Sequence, residues 1–170
     1  FYAIHRRNVK HVRLLLERGA NPNSPMNVAD GVHTPLWYAA RENYKLVQVL
    51  LEFGADVNQD TFNLPTPLHI AADWRQHKSL RLLLEAGADT SAIRGSSPHT
   101  ARDTAVSRED SHAVSIIDGY VAAGCWARIY KLASAGVLIN DTARIVAGYL
   151  YRGADLFVSR KEPRAFSRPR

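Results

Sequence analysis

Apolar residues along the chain fall in short blocks at helical spacing. Leu14-Leu15-Leu16, Leu50-Leu51 and Leu82-Leu83-Leu84 are each followed by Glu, one variable residue and a Gly-Ala pair. Each block reads as the buried stripe of an amphipathic helix, with Gly19, Gly54 and Gly87 providing a left-handed stop after it. Shorter segments precede the second and third blocks. Thr34-Pro35-Leu36 and Thr66-Pro67-Leu68 predict helix starts, with threonine as N-cap and proline at the first helical position, where a missing N–H costs nothing. The pairs Ala39-Ala40 and Ala71-Ala72 are small and helix-favouring, so neighbouring helices can approach closely there. Asn21-Pro22-Asn23, Asp56-Val57-Asn58 and Asp89-Thr90-Ser91 follow the glycines and lead into turns.

These blocks repeat. Thr34-Pro35-Leu36-Trp37-Tyr38-Ala39-Ala40 returns as Thr66-Pro67-Leu68-His69-Ile70-Ala71-Ala72, with a degraded echo from Thr100 to Ala105, at offsets of 32 and 34 residues. The glycines step by 35, then 33, and then 66 to Gly153, in Tyr149-Leu150-Tyr151-Arg152-Gly153-Ala154-Asp155. Two interlocked series with a period near 33 mark a solenoid of helical units. On these motifs the chain resembles the ankyrin repeat family, clearly over residues 1–124 and weakly over 125–156. The resemblance implies an all-α solenoid of helix-turn-helix units with β-turn fingers and a degenerate C-terminal capping repeat.

The expected domain is 1–156, in repeats of about 1–23, 24–59, 60–91 and 92–124 and a degenerate fifth at 125–156. Repeat one is truncated, and the chain opens inside a periodic segment, as expected of a fragment of a larger protein. Repeat two has a long linking loop, Ser24 to His33, and a first helix one residue short between Ala40 and Lys45. Repeat four is divergent, because Asp103 and Thr104 stand where apolar residues are expected. The fifth unit would have helices over Ala127–Ala135 and Ala143–Tyr151, capping the last core face. Trp126, at the repeat-four boundary, is expected in the core.

Charge adds less than its total suggests. The 170 residues carry 22 Lys+Arg and 16 Asp+Glu, a formal +6, but residues 1–150 hold only 16 and 14 of these. Most of the excess lies in the basic, proline-containing tail, 157–170, expected to be flexible. This weakens a nucleic-acid or anionic-surface reading. The composition is that of a globular chain, no apolar run approaches the roughly 20 residues of a membrane span, and no N-terminal signal sequence is expected from the residues given. The single cysteine, Cys125, excludes a disulfide scaffold and points to a reducing, cytoplasmic compartment; it is expected to be a buried small apolar residue.

Catalytic signals are lacking. The seven histidines have no ligand spacing, and no phosphate loop, nucleophile elbow or carboxylate pair stands out, so neither an enzyme, a cofactor, a metal nor a small-molecule substrate is expected. His69 resembles the family histidine that ties adjacent turns together by hydrogen bonding, and Trp37 in its place should interrupt that tie. The resemblance further implies that the turn tips and the exposed start of each first helix line a concave groove. The helix row is then His5/Arg6, Arg41/Glu42, Asp73/Trp74 and Ser107/Arg108, and the tips include Met26, Asp30, His33, Phe62, Asn63 and Pro65. The expected partner-binding residues are Arg41, Glu42, Phe62, Asp73, Trp74, Arg75 and Arg108, because Trp and Arg are favoured interface anchors. Trp74 alternatively folds back over a neighbouring repeat. The expected function is a protein–protein interaction module, alternatively the substrate-recognition domain of a larger multidomain enzyme such as a bacterial effector.

Overall fold

Threonine–proline starts and glycine stops do define the helices of the computed structural model, which describes residues 2–28, 31–59, 64–93 and 99–134. Helix α1 (Tyr2–His5) and α2 (Val9–Glu17) form the first pair. A short hairpin of β1 (Met26–Val28) and β2 (Gly31–His33) follows, antiparallel, with Met26 opposite His33 and Val28 opposite Gly31. Then come α3 (Pro35–Glu42), α4 (Tyr44–Glu52), α5 (Pro67–Asp73), α6 (His77–Glu85), α7 (Ala101–Ser107) and α8 (Ser111–Ser134).

The helices α3, α5 and α7 start on threonine hydroxyls: Thr34 accepts the Trp37 N–H at 3.2 Å, and Thr66 the His69 N–H at 3.5 Å. At Thr100 the cap is reciprocal. Asp103 reaches back to the Thr100 N–H at 2.9 Å while Thr100 accepts the Asp103 N–H. The polar residue that made repeat four look divergent thus completes a capping box, which stabilises the helix start by about 1 kcal/mol.

The chain divides into two compact units, residues 1–121 and 122–170. In the first, the helices stack in two rows. α1, α3, α5 and α7 pack successively in one row; α2, α4 and α6 pack successively in the other, with α1·α2, α3·α4 and α5·α6 closing each pair. Between them lies one apolar core. Leu36, Leu46, Leu50, Leu68, Leu80, Leu83 and Leu84 are fully buried, and Ala39, Ala40, Ala71 and Ala72 lie at the close approaches. Burying each leucine is worth about 1.5–3 kcal/mol.

Outside the core, asparagines tie one repeat to the next. The Asn58 side chain donates to the Gly87 carbonyl at 3.0 Å and accepts the Asp89 N–H at 2.9 Å. Asn23 does the same for Gly54 and Asp56 at 3.2 and 2.8 Å. At the third position the residue is Ser91, whose shorter side chain bonds back to Asp89 at 2.7 Å.

Several expectations need correction. The Ser24–His33 loop is partly a hairpin, which seats His33 in the core at 2% exposure and not at a free tip. The second helix of repeat four, α8, passes through Gly124 and runs on to Ser134. Gly124 lacks the Leu-Leu-Glu block before it and a turn-forming segment after it, and a helix-interior glycine costs only about 1 kcal/mol relative to alanine. In the second unit, Cys125 on α8 is exposed and not buried. The rest of the proposed fifth repeat and the 157–170 tail lie outside the described residues, as do the surroundings of Trp126.

Candidate functional site

The first-helix row lies at the C-terminal ends of those helices and not at their starts. Thr34 and Thr66 fix the starts, so Arg41 and Glu42 occupy the last turn of α3, Asp73 ends α5 and Trp74 caps it, and Ser107 ends α7 with Arg108 as its cap. Six of the seven predicted partner-binding residues are described; Phe62 lies outside the described residues, as do the tips Asp30 and Asn63.

The six are linked from repeat to repeat. Glu42 is paired with Arg7 at the α1–α2 junction, and the Arg41 guanidinium, 3.4 Å from Glu42, lies over the Trp74 ring at 4.2 Å from its centroid. Asp73 pairs with Arg108 at 2.7 Å, and this hydrogen bond raises the Arg108 guanidinium above its ordinary pKa. Arg75 donates to the Arg108 carbonyl. Exposed ion pairs of this kind contribute little stability individually, but they fix the rotamers of the row.

Trp74 combines features of both sequence readings. Its indole is 48% exposed, so it is not folded away, yet the Arg41 guanidinium covers one face. The exposed part of the ring is therefore held in place, with about 0.5–1 kcal/mol from the cation–π contact. Arg75 turns instead toward a cleft with His77 and Lys78.

The histidines are structural where their contacts are defined. His69 Nδ1 lies 2.8 Å from Thr66 Oγ1 and Nε2 lies 3.0 Å from the His99 carbonyl, tying repeat three to repeat four. At the matching position in α3, Trp37 stacks on His33 with centroids 4.0 Å apart, and its Nε1 has no hydrogen-bond partner among the described residues, as an interrupted tie requires. His77 Nε2 lies 2.7 Å from Asp110 Oδ2. Burial pushes the Asp110 carboxyl upward, but hydrogen bonds from His77 and the Ala113 N–H outweigh it and hold the group below its ordinary value. No group of three or more potential metal ligands occurs among the described residues, and no described helix is long and apolar enough to cross a membrane.

Sequence reasoning missed Arg7 and the Asp110–His77 pair, although both carry a readable signal. Arg7 and Glu42, like Asp73 and Arg108, are 35 residues apart; His77 and Asp110 are 33 apart. Complementary residues one repeat apart are brought into contact by the stacking itself.

Comparison with known proteins agrees with this geometry. An ankyrin repeat protein of Rickettsia bellii is 32% identical across 51% of this chain and 46% of its own length. The human ankyrin repeat and SOCS box protein 16 is 32% identical across 56% of this chain and 20% of its own. The chain therefore spans less than half the length of either relative. The family model for ankyrin repeats matches residues 1–94 as three copies, over half of the chain, and with helix pairs stacked at that period the chain belongs to the ankyrin repeat family.

Proposed function

We propose that this chain is a protein-interaction module that engages a partner protein through the concave side of its stack, along Arg41, Glu42, Asp73, Trp74 and Arg108. Ankyrin repeats generally act as protein–protein interaction modules. The observation that carries the reading is Trp74, half exposed and clamped beneath Arg41. A large aromatic held rigid on a polar rim gains its full burial only when something covers it, and such residues typically cost 2 kcal/mol or more when truncated at interfaces, on the order of a thirtyfold loss of affinity. The surrounding charges, paired across repeats, set the orientation and the on-rate of a partner more than its affinity. The lone cysteine supports a reducing, cytoplasmic setting.

The alternative is that the chain selects substrates for a larger enzyme whose chemistry lies elsewhere. It is favoured by the fact that relatives extend well beyond the matched region. Both readings predict specific protein binding by the same row. Replacing Trp74→Ala together with Arg41→Glu is expected to abolish partner capture while leaving the helical circular dichroism intact. Unchanged capture would move the site off the row.

A further inference from the structure

Residues 1–121 hold thirteen Lys+Arg and thirteen Asp+Glu, so this unit is formally neutral. Its cations are nevertheless unevenly placed. Arg7, Arg13, Arg102 and Arg108 each face a carboxylate, on Glu42, Glu52, Asp118 and Asp73 respectively. Beside the Trp74 row, a cleft of about 480 Å³ is lined by Tyr44, Arg75, Gln76, His77, Lys78, Arg81 and His112. Lys78 and Arg81 are exposed, lie one turn apart on α6, and have no carboxylate partner among the described residues.

Asp110, which reaches this cleft through His77, is already engaged. Asp110 is 6% exposed; one of its oxygens holds His77 at 2.7 Å and the other accepts the Ala113 N–H at 3.1 Å. Arg75 also feels the Asp110 charge, whereas the contacts that position Lys78 and Arg81 bring no carboxylate to them among the described residues. Lys78 Nζ rests 4.8 Å from the centre of the Tyr44 ring, Arg75 is anchored on the Arg108 carbonyl, and the His112 ring meets that of His77 edge-on at 4.6 Å. Arg75 is also held at φ 52°, a left-handed conformation unfavourable for a residue with a side chain.

Three permanent cations converging on one open cleft exceed what a single carboxylate would neutralise. A phosphate monoester carries about −1.5 to −2 charges at neutral pH and offers three acceptor oxygens, to which arginine forks and a lysine ammonium are well suited. We propose that the cleft formed by Tyr44, Arg75, His77, Lys78, Arg81 and His112 is a binding site for a phosphate monoester dianion. It lies beside the interaction row and does not depend on that row binding a partner. The neutrality of the unit as a whole disfavours a nucleic-acid backbone, which needs an extended basic track.

The test uses the full chain. Inorganic phosphate, with chloride at matched ionic strength as reference, is titrated while amide resonances are followed by NMR. The chain is separately passed over an immobilised phosphoserine peptide library, its unphosphorylated counterpart, and a single-stranded RNA. Saturable shifts confined to residues around Arg75, Lys78, Arg81 and His112 are expected. Lys78→Glu and Arg81→Glu should each weaken the response roughly tenfold, while Lys10→Glu, elsewhere on the surface, leaves it unchanged. Preferential retention on the phosphopeptides then identifies the source as a modified protein; phosphate binding without retention identifies a small free phosphate ester. The proposal is overturned by the absence of a saturable shift, by shifts unaffected in the Glu variants, or by RNA binding that those variants abolish in place of phosphate binding. Any of these outcomes leaves the Trp74 test standing.

Discussion

Asp110→Ala removes two contacts, one that caps a helix of repeat four and one that joins repeat four to repeat three. The first is the cap on α8, where Oδ1 accepts the Ala113 N–H at 3.1 Å; its loss is worth about 1 kcal/mol. The second is the bond to His77 Nε2 at 2.7 Å, whose loss leaves a half-buried imidazole without its acceptor, at about 1–2 kcal/mol. Asp110→Ala should therefore destabilise the stack by about 2–3 kcal/mol in urea unfolding followed by circular dichroism. Asp110→Asn keeps one acceptor oxygen for the cap but puts an NH2 group in place of the oxygen facing His77 and loses the charge, and should cost about 1 kcal/mol. A double-mutant cycle with His77→Ala should return a coupling of about 1 kcal/mol. The sign of the pH effect is also fixed. Asp110 is held below its ordinary pKa in the folded state, so its contribution is complete above about pH 4 and is lost as pH falls through the lowered folded value. Acidification below about pH 4 should thus narrow the gap between the wild-type chain and Asp110→Asn. An Asp110→Ala cost below about 0.5 kcal/mol, or no coupling to His77, would refute the assignment of this pair as an inter-repeat tie.

Other substitutions probe the backbone of the stack. Glu109 sits at φ 55° with its side chain exposed and should gain about 0.5–1 kcal/mol on replacement by glycine, measured by the same unfolding midpoint. Gly87→Ala meets no atom within 4 Å but must keep φ near +87°, so its cost of about 1 kcal/mol is conformational. Gly31→Ala should cost more, about 2 kcal/mol, because its added Cβ would also lie 2.9 Å from a Leu64 methyl in a hairpin glycine at φ +137°. If the two alanine variants are equally stable, the Leu64 contact does not constrain the hairpin.

The sequence makes the helix starts, the glycine stops and the period visible because those features are local. Thr34, Pro35 and Gly54 act within one turn of themselves, and the buried leucines declare their face by spacing. Most of what escaped was set by stacking or by caps at helix ends. His33 looks like a polar tip residue until the hairpin folds it onto Trp37. Asp103 looks misplaced in an apolar slot, although it caps its own helix. The left-handed turn residues Arg7, Arg75 and Glu109 have no local glycine signature, although each closes a helix end through backbone bonds such as Asn8 N–H to Ala3, Gln76 N–H to Ala71 and Asp110 N–H to Ala105. The Trp74 row was legible as a set of residues but not as a chain of contacts. Its links run from Arg7 to Glu42, from Arg41 to Trp74 and from Asp73 to Arg108, each across one repeat. Reading the sequence at that period, for complementary pairs in place of identical ones, recovers most of them.

The central claim is that the Trp74 row captures a protein. Its most direct measurement places a photo-crosslinking amino acid at the exposed position 107, next to Arg108, and compares adducts formed in living cells by the wild-type row and by the Trp74→Ala, Arg41→Glu variant. The account predicts a discrete protein adduct that disappears in the double variant and persists when Lys78→Glu is introduced instead. An adduct pattern indifferent to Trp74 and Arg41, with the fold intact by circular dichroism, would contradict it.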